Sequence, residues 1–223
     1  MEKINYQKLL DKVIESLEKN QALGKKPSLL LHACCGPCSS YVLEYLAKYF
    51  QITVFYYNPN IYPQEEYKRR LDELKNLYKS FPPALENKVR VVEADYNPQD
   101  FYEAIGIKEE PELAKEAEKG ERCRRCYRFR LKKSFDYACF HGFDYFCTTL
   151  SISPFKDSTK INEEGAALCK LYRERAKEKN AAIPQWLYSD FKKKGGFKRS
   201  LELSKEYNLY RQQYCGCIYS QQN

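Results

Sequence analysis

Ser28-Leu29-Leu30-Leu31-His32-Ala33 is an apolar run of strand length, and it opens directly into Cys34-Cys35-Gly36-Pro37-Cys38. The run reads as a buried strand over 28–35, with thiols delivered at its carboxyl end. That end of a strand is where an α/β protein keeps its chemistry.

Outward from this run the same alternation repeats. Strands are predicted at 52–57, 89–94, 145–152 and 183–188, separated by helical periodicity. A helix is expected to start at Ser39 or Ser40, either of which can cap it, and others to cover 122–141, 161–180 and 197–210. Pro63 followed by Glu65 and Glu66 marks a further start, with Tyr67, Leu71, Leu74 and Leu77 on its inner face. Alternating strands and helices imply right-handed crossovers and a mostly parallel sheet with helices on both faces, here with a helical C-terminal part. The expected organisation is an N-terminal helical extension over 1–27 and a single α/β catalytic domain over 28–223. The turns after the first, second and fourth strands then share one rim.

Seven of the ten cysteines fall in three clusters: Cys34-Cys35-x-x-Cys38, Cys123-x-x-Cys126 and Cys215-x-Cys217. Thiolates at this spacing converge on soft metals and on iron–sulfur clusters. A structural zinc and a dithiol redox site are the rivals, but seven thiolates exceed what one tetrahedral zinc uses. A cluster that takes four leaves up to three for a second metal or an open iron position. That combination joins electron transfer to Lewis acidity and suits reductive cleavage of a C–O bond. Cys139, Cys147 and Cys169 lie in predicted helix or strand and read as buried small hydrophobes. The cysteine-rich loop lacks the G-x-x-x-x-G-K-[ST] pattern, which argues against ATP, although a helix starting near Ser39 can hold a phosphate.

With 223 residues, 43% of them apolar, the chain can bury a core, and no apolar stretch reaches membrane-spanning length. Residues 1–27 lack a signal-peptide core, so a cytoplasmic location without membrane contact is expected, where clustered thiols stay reduced. Net charge is +8 but unevenly spread: residues 121–223 hold 21 basic against 11 acidic side chains, a net of +10. Such a half suits a polyanion, nucleic acid first.

The segments His32–Cys38, Tyr57-Asn58-Pro59-Asn60-Ile61 with Glu66, Tyr67 and Arg70, Arg122–Tyr127, Thr148–Pro154 and Gln212–Ser220 together resemble the signature of the epoxyqueuosine reductase QueH family. The blocks stand in family order across 28–220. The resemblance implies a Rossmann-like α/β fold related to the PP-loop (HUP-related) nucleotide-binding group. It implies reduction of the epoxide of epoxyqueuosine to the alkene of queuosine, at the wobble position of tRNA. It also implies a 4Fe–4S cluster with an additional mononuclear iron, and so carries metal roles onto Cys34, Cys35, Cys123, Cys126, Cys215 and Cys217. Cys38 joins this set by its spacing.

An external low-potential electron donor and a proton donor are then needed. Tyr127 and Tyr214, beside the second and third cysteine groups, are the nearest candidates for the latter, against ordinary packing. Asp157 either orients substrate or caps a helix, and His32 reads as a core or supporting histidine. Phosphate contacts are expected from Arg122, Arg124, Arg125 and Arg128 and from Lys192, Lys193, Lys194, Lys198 and Arg199. Bases of the single-stranded anticodon loop can splay onto aromatic or arginine planes. The competing functions are an iron–sulfur electron-transfer subunit, a cluster-dependent tRNA thiolation enzyme and a zinc-stabilised RNA-binding module.

Overall fold

In a computed structural model describing residues 4–20, 24, 26–176 and 183–221, the predicted alternation forms one five-stranded sheet of order β3-β2-β1-β4-β5. Its strands are β1 (Ser28–His32), β2 (Gln51–Tyr56), β3 (Arg90–Glu93), β4 (Tyr145–Thr148) and β5 (Gln185–Trp186). Every pairing is parallel, in register Leu30 to Thr53 on one side of β1 and Leu30 to Phe146 on the other. The fold is the expected Rossmann-like α/β class.

β1 shows why its sequence is apolar without alternation. Leu29 and Leu31 enter a core with Leu10, Val42, Leu43, Val54, Leu74 and Leu203, while Leu30 enters a second core with Leu131, Phe135, Phe146 and Trp186. A central strand buried on both faces needs apolar side chains at every position. The first core is covered by α1 (Tyr6–Asn20), α2 (Gly36–Leu46), α3 (Gln64–Ser80) and α8 (Gly196–Glu206). The second is covered by α6 (Glu121–Phe140) and α7 (Ser158–Ala176). Shorter helices α4 (Pro82–Glu86) and α5 (Pro98–Ile105) flank β3. The N-terminal helix packs onto the domain through Leu10 and Ile14.

Several boundaries differ from expectation. The first strand ends at His32, because parallel pairing stops there and 33–35 turn over the rim. The fourth ends at Thr148, whose Oγ1 accepts the Leu150 amide at 3.2 Å and starts a short 3₁₀ turn over 149–152. The fifth pairs only through Gln185 and Trp186. The last helix ends at Glu206 rather than 210, and residues 177–180 of the expected 161–180 helix lie outside the described set. α2 begins at Gly36, with Cys35 as N-cap and no side-chain cap. Ser39 and Ser40 instead donate back to the carbonyls of Gly36 and Pro37, each at 3.0 Å. The positive end of α2 therefore lies at the thiols.

α2 and α8 approach closely at Gly196, where an added Cβ would fall 2.1 Å from the Phe191 carbonyl oxygen and 2.3 Å from the Tyr41 ring. Gly196→Ala should thus separate the two helices and cost about 1–3 kcal/mol, read as a lowered denaturation midpoint.

Candidate metal centre and active site

All ten cysteines are free thiols. The first three stand at the carboxyl end of β1, where the strand order turns back between β1 and β4. The sulfurs of Cys34, Cys35 and Cys38 all lie within 4.8 Å of one another, those of Cys34 and Cys35 at 3.9 Å. Cys34 is held well below the ordinary thiol range, because Cys35 and Cys38 hydrogen-bond to its sulfur and Lys156 and Arg130 add positive charge nearby. The Cys34 thiolate in turn pushes Cys35 up to about 12 and raises Cys38. One proton leaves this triad easily and the next two are held until a cation displaces them. Gln212 Nε2 donates to Cys35 Sγ at 3.0 Å.

The other four cysteines form a second group. Cys123 and Cys126, one turn apart at the start of α6, meet Cys215 and Cys217 around a small cavity, which Phe101, Arg122, Tyr127, Arg130 and Asn60 complete. Burial pushes Cys126 up to about 12 and Cys123 up to about 11. Cys215 also lines a neighbouring cavity, together with Cys38, Lys156, Gln212 and Tyr214. That open cavity is where both thiol groups reach one space.

The C-terminal pair is fixed from α3. Arg70 donates from Nη1 to the Cys215 carbonyl at 3.0 Å and from Nη2 to the Tyr214 carbonyl at 3.4 Å, while its Nε pairs with Glu66 at 2.6 Å. Between the cysteines Gly216 has φ +119°, and an added Cβ would meet Arg70 Nη1 at 2.8 Å. Only glycine both adopts that angle and leaves room for the guanidinium.

The charge balance of the site is unusual. Arg130 is 1% exposed and its hydrogen-bond partner is the neutral Asn58 side chain. Lys156 is 8% exposed and makes no carboxylate ion pair among the described residues. Arg122 is buried, with Nε and Nη2 unpartnered. Burial opposes the charge on Lys156, but Cys215, Cys34 and Cys38 outweigh it and push its pKa up. On Arg130, Cys126, Cys34 and Cys215 likewise outweigh burial. Buried cations need anions, and the groups that face these are thiols. A soft metal held as a thiolate complex would bring the missing negative charge, so the donor set fits metal binding.

The family model for epoxyqueuosine reductase QueH matches residues 29–223. The chain belongs to the QueH family. An epoxyqueuosine reductase of Streptococcus pyogenes is 40% identical over 220 residues, 98% of this chain and 79% of that protein. One from Staphylococcus epidermidis is 37% identical over 219 residues, covering 98% and 85%. One from Haemophilus influenzae is 39% identical over 194 residues, covering 86% and 71%. The QueH relatives are named as reductases, and the chain is accordingly an oxidoreductase.

The remaining sequence candidates fall in different places. Tyr127 is buried in the wall of the four-cysteine cavity and is kept protonated by burial. Tyr214 lines the open cavity, but its hydroxyl donates to the Tyr62 carbonyl at 2.8 Å. Asp157 caps α7, its Oδ1 accepting the amides of Thr159 at 2.8 Å and Lys160 at 3.2 Å. His32 is a supporting core residue. Its Nε2 hydrogen-bonds the Tyr57 carbonyl at 3.1 Å, which can only accept, so Nε2 carries the proton. Burial and Arg130 lower its pKa to about 3, so the ring is neutral and Nδ1 accepts from Thr148 Oγ1 at 2.8 Å. Cys147 and Cys169 are buried as expected and Cys139 is half-buried.

The arginines and lysines expected to contact phosphate are largely engaged within the protein. Arg122 is buried against the cysteine cavity, and Arg124 and Arg128 both pair with Glu164, while Arg125 pairs with Glu110 and Glu121. Lys192, Lys194 and Arg199 are paired with Asp190, Asp11 and Glu44. Glu164, Glu110, Asp11 and Glu44 come from distant segments, which local charge counting does not see. No helix among the described residues is long and apolar enough to cross a membrane.

Sequence reasoning missed Lys156 and Arg130 and gave Gln212 no role of its own. Arg130 had a signal: it stands four residues after Cys126 and seven after Cys123, on the same face of α6. Lys156 had only its place in a rim loop after β4.

Proposed function

We propose that this chain reduces the epoxide of epoxyqueuosine in the tRNA anticodon loop to the alkene of queuosine. Cys123, Cys126, Cys215 and Cys217 would hold a 4Fe–4S cluster, and Cys34, Cys35 and Cys38 an adjacent iron. The observation that carries the reading is the cavity that Cys38 and Cys215 line together, one thiol from each group. Two thiolates on one tetrahedral ion with bonds of about 2.3 Å sit about 3.8 Å apart, and the Cys34 and Cys35 sulfurs are 3.9 Å apart. The second group has the four thiols that a cluster takes.

When bound, the cluster supplies single electrons and the iron a Lewis-acidic position. The balance of the reaction is epoxide, two electrons and two protons to alkene and water, with the electrons from an external low-potential donor. Lys156 sets a fixed positive charge in the open cavity, where the oxygen of the breaking C–O bond gathers negative charge. Tyr127 keeps its proton at the wall of the neighbouring cavity. Arg130 and Arg122 hold the thiolates in a buried setting without a competing carboxylate.

The test is anaerobic reconstitution with iron and sulfide, then incubation with epoxyqueuosine-containing tRNA and a low-potential reductant. Nucleoside mass spectrometry should show loss of one oxygen from the modified base, dependent on iron loading. A well-loaded brown protein that leaves the base untouched would favour an electron-transfer or thiolation role. A colourless, zinc-only protein would overturn the cluster assignment.

A further inference from the structure

The rim loop after β4 carries a feature that the chemistry above leaves unused. Phe155 is 64% exposed, although its ring lines the cavity that holds Cys38 and Cys215. The loop is set firmly: Ser153 Oγ accepts the Phe155 amide at 3.3 Å and the Ser153 carbonyl accepts the Lys156 amide at 3.2 Å. An exposed phenyl ring on a fixed loop costs apolar hydration and gains no core contact.

A second, more open concavity adjoins the first. Pro154 and Lys156 line both, so the Pro154–Lys156 loop divides them. The second is lined by Lys119, Lys192 and Lys193. Its two acids are engaged, Asp157 in capping α7 and Asp190 in pairing with Lys192 at 2.9 Å. Lys193 is exposed and without an ion pair among the described residues. A basic track therefore runs up to an aromatic divide, beyond which lie the thiols. Positive grooves with exposed rings at intervals hold single-stranded nucleic acid, the charges following the backbone and the rings stacking bases.

We propose that Phe155 is the stacking platform for a base next to the modified nucleotide. The modified nucleotide enters the thiol-lined cavity, and the strand's phosphates follow the exposed Lys119 and Lys193 in the basic one. This rests on the tRNA reading above and adds the residue that unstacks and registers the loop.

The experiment uses the full, iron-loaded chain and an anticodon stem-loop RNA carrying 2-aminopurine on both sides of the wobble position. The wild type should bind and quench the probe. Phe155→Ala should bind roughly ten- to a hundredfold more weakly and lose the quench, with iron content, visible spectrum and the salt slope of binding unchanged. Phe155→Tyr should restore both affinity and quench. Lys193→Ala should keep the quench at saturation and make the salt slope shallower by about 0.7. Wild-type affinity and quench in Phe155→Ala would overturn the stacking role while leaving the tRNA reading intact. A wild type that does not bind the RNA would overturn both.

Discussion

Cys126→Ser is expected to give a folded chain without iron–sulfur visible absorption and with reductase activity lowered at least about 100-fold. Cys38→Ser is expected to lose about as much activity while keeping the colour and losing about one iron per chain. The contrast follows from where each sulfur lies. Cys126 lines the four-cysteine cavity with Cys123, Cys215 and Cys217 and packs beside Phe101 and Ile105. Cys38 belongs to the three sulfurs within 4.8 Å and borders the open cavity. Serine is a poorer ligand for soft iron than thiolate, and at Cys126 it also leaves Arg130 facing one thiolate fewer. Iron and acid-labile sulfide counts with the visible spectrum decide the matter. Loss of all colour in Cys38→Ser would assign that sulfur to the cluster and undo the proposed division.

The legible parts of this protein are those whose cause is local. The β1 run was readable because double-sided burial demands apolar residues at each position, and the cysteine groups because their spacing is short. The start of α2 was misread for a physical reason. A serine before an apolar face is a generic cap signal, yet here both serines bond back into a turn already begun at Gly36. The basic half was readable in amount and not in placement, since Arg124 and Arg128 meet Glu164 from α7 and Arg125 meets Glu110. Lys156 became visible only when β4's rim loop was set beside Cys34, Cys38 and Cys215. Convergence from three segments cannot be read along one.

The same distance in sequence governs the clamp on the third cysteine pair, and Arg70→Met tests it. Arg70 and Glu66 have side chains only 1% and 9% exposed, paired at 2.6 Å. Removing the guanidinium leaves Glu66 with the Tyr210 hydroxyl, at 3.3–3.4 Å, as its remaining partner. An uncompensated buried carboxylate of this kind costs about 3–5 kcal/mol. The carbonyls of Tyr214 and Cys215 lose their donor in the same step. Two consequences are therefore expected in Arg70→Met: a large fall in the denaturation midpoint and poor iron loading. They separate in the double variant Glu66→Gln/Arg70→Met. Neutralising Glu66 removes the buried charge, so stability should largely return, whereas the Cys215–Cys217 turn still lacks its clamp and iron content should stay low. Glu66→Gln alone keeps Arg70 on the two carbonyls and should load iron normally. Full iron recovery in the double variant would make Arg70 a partner of Glu66 and nothing more. Continued iron loss with restored stability would make it the residue that positions Cys215 against Cys123 and Cys126.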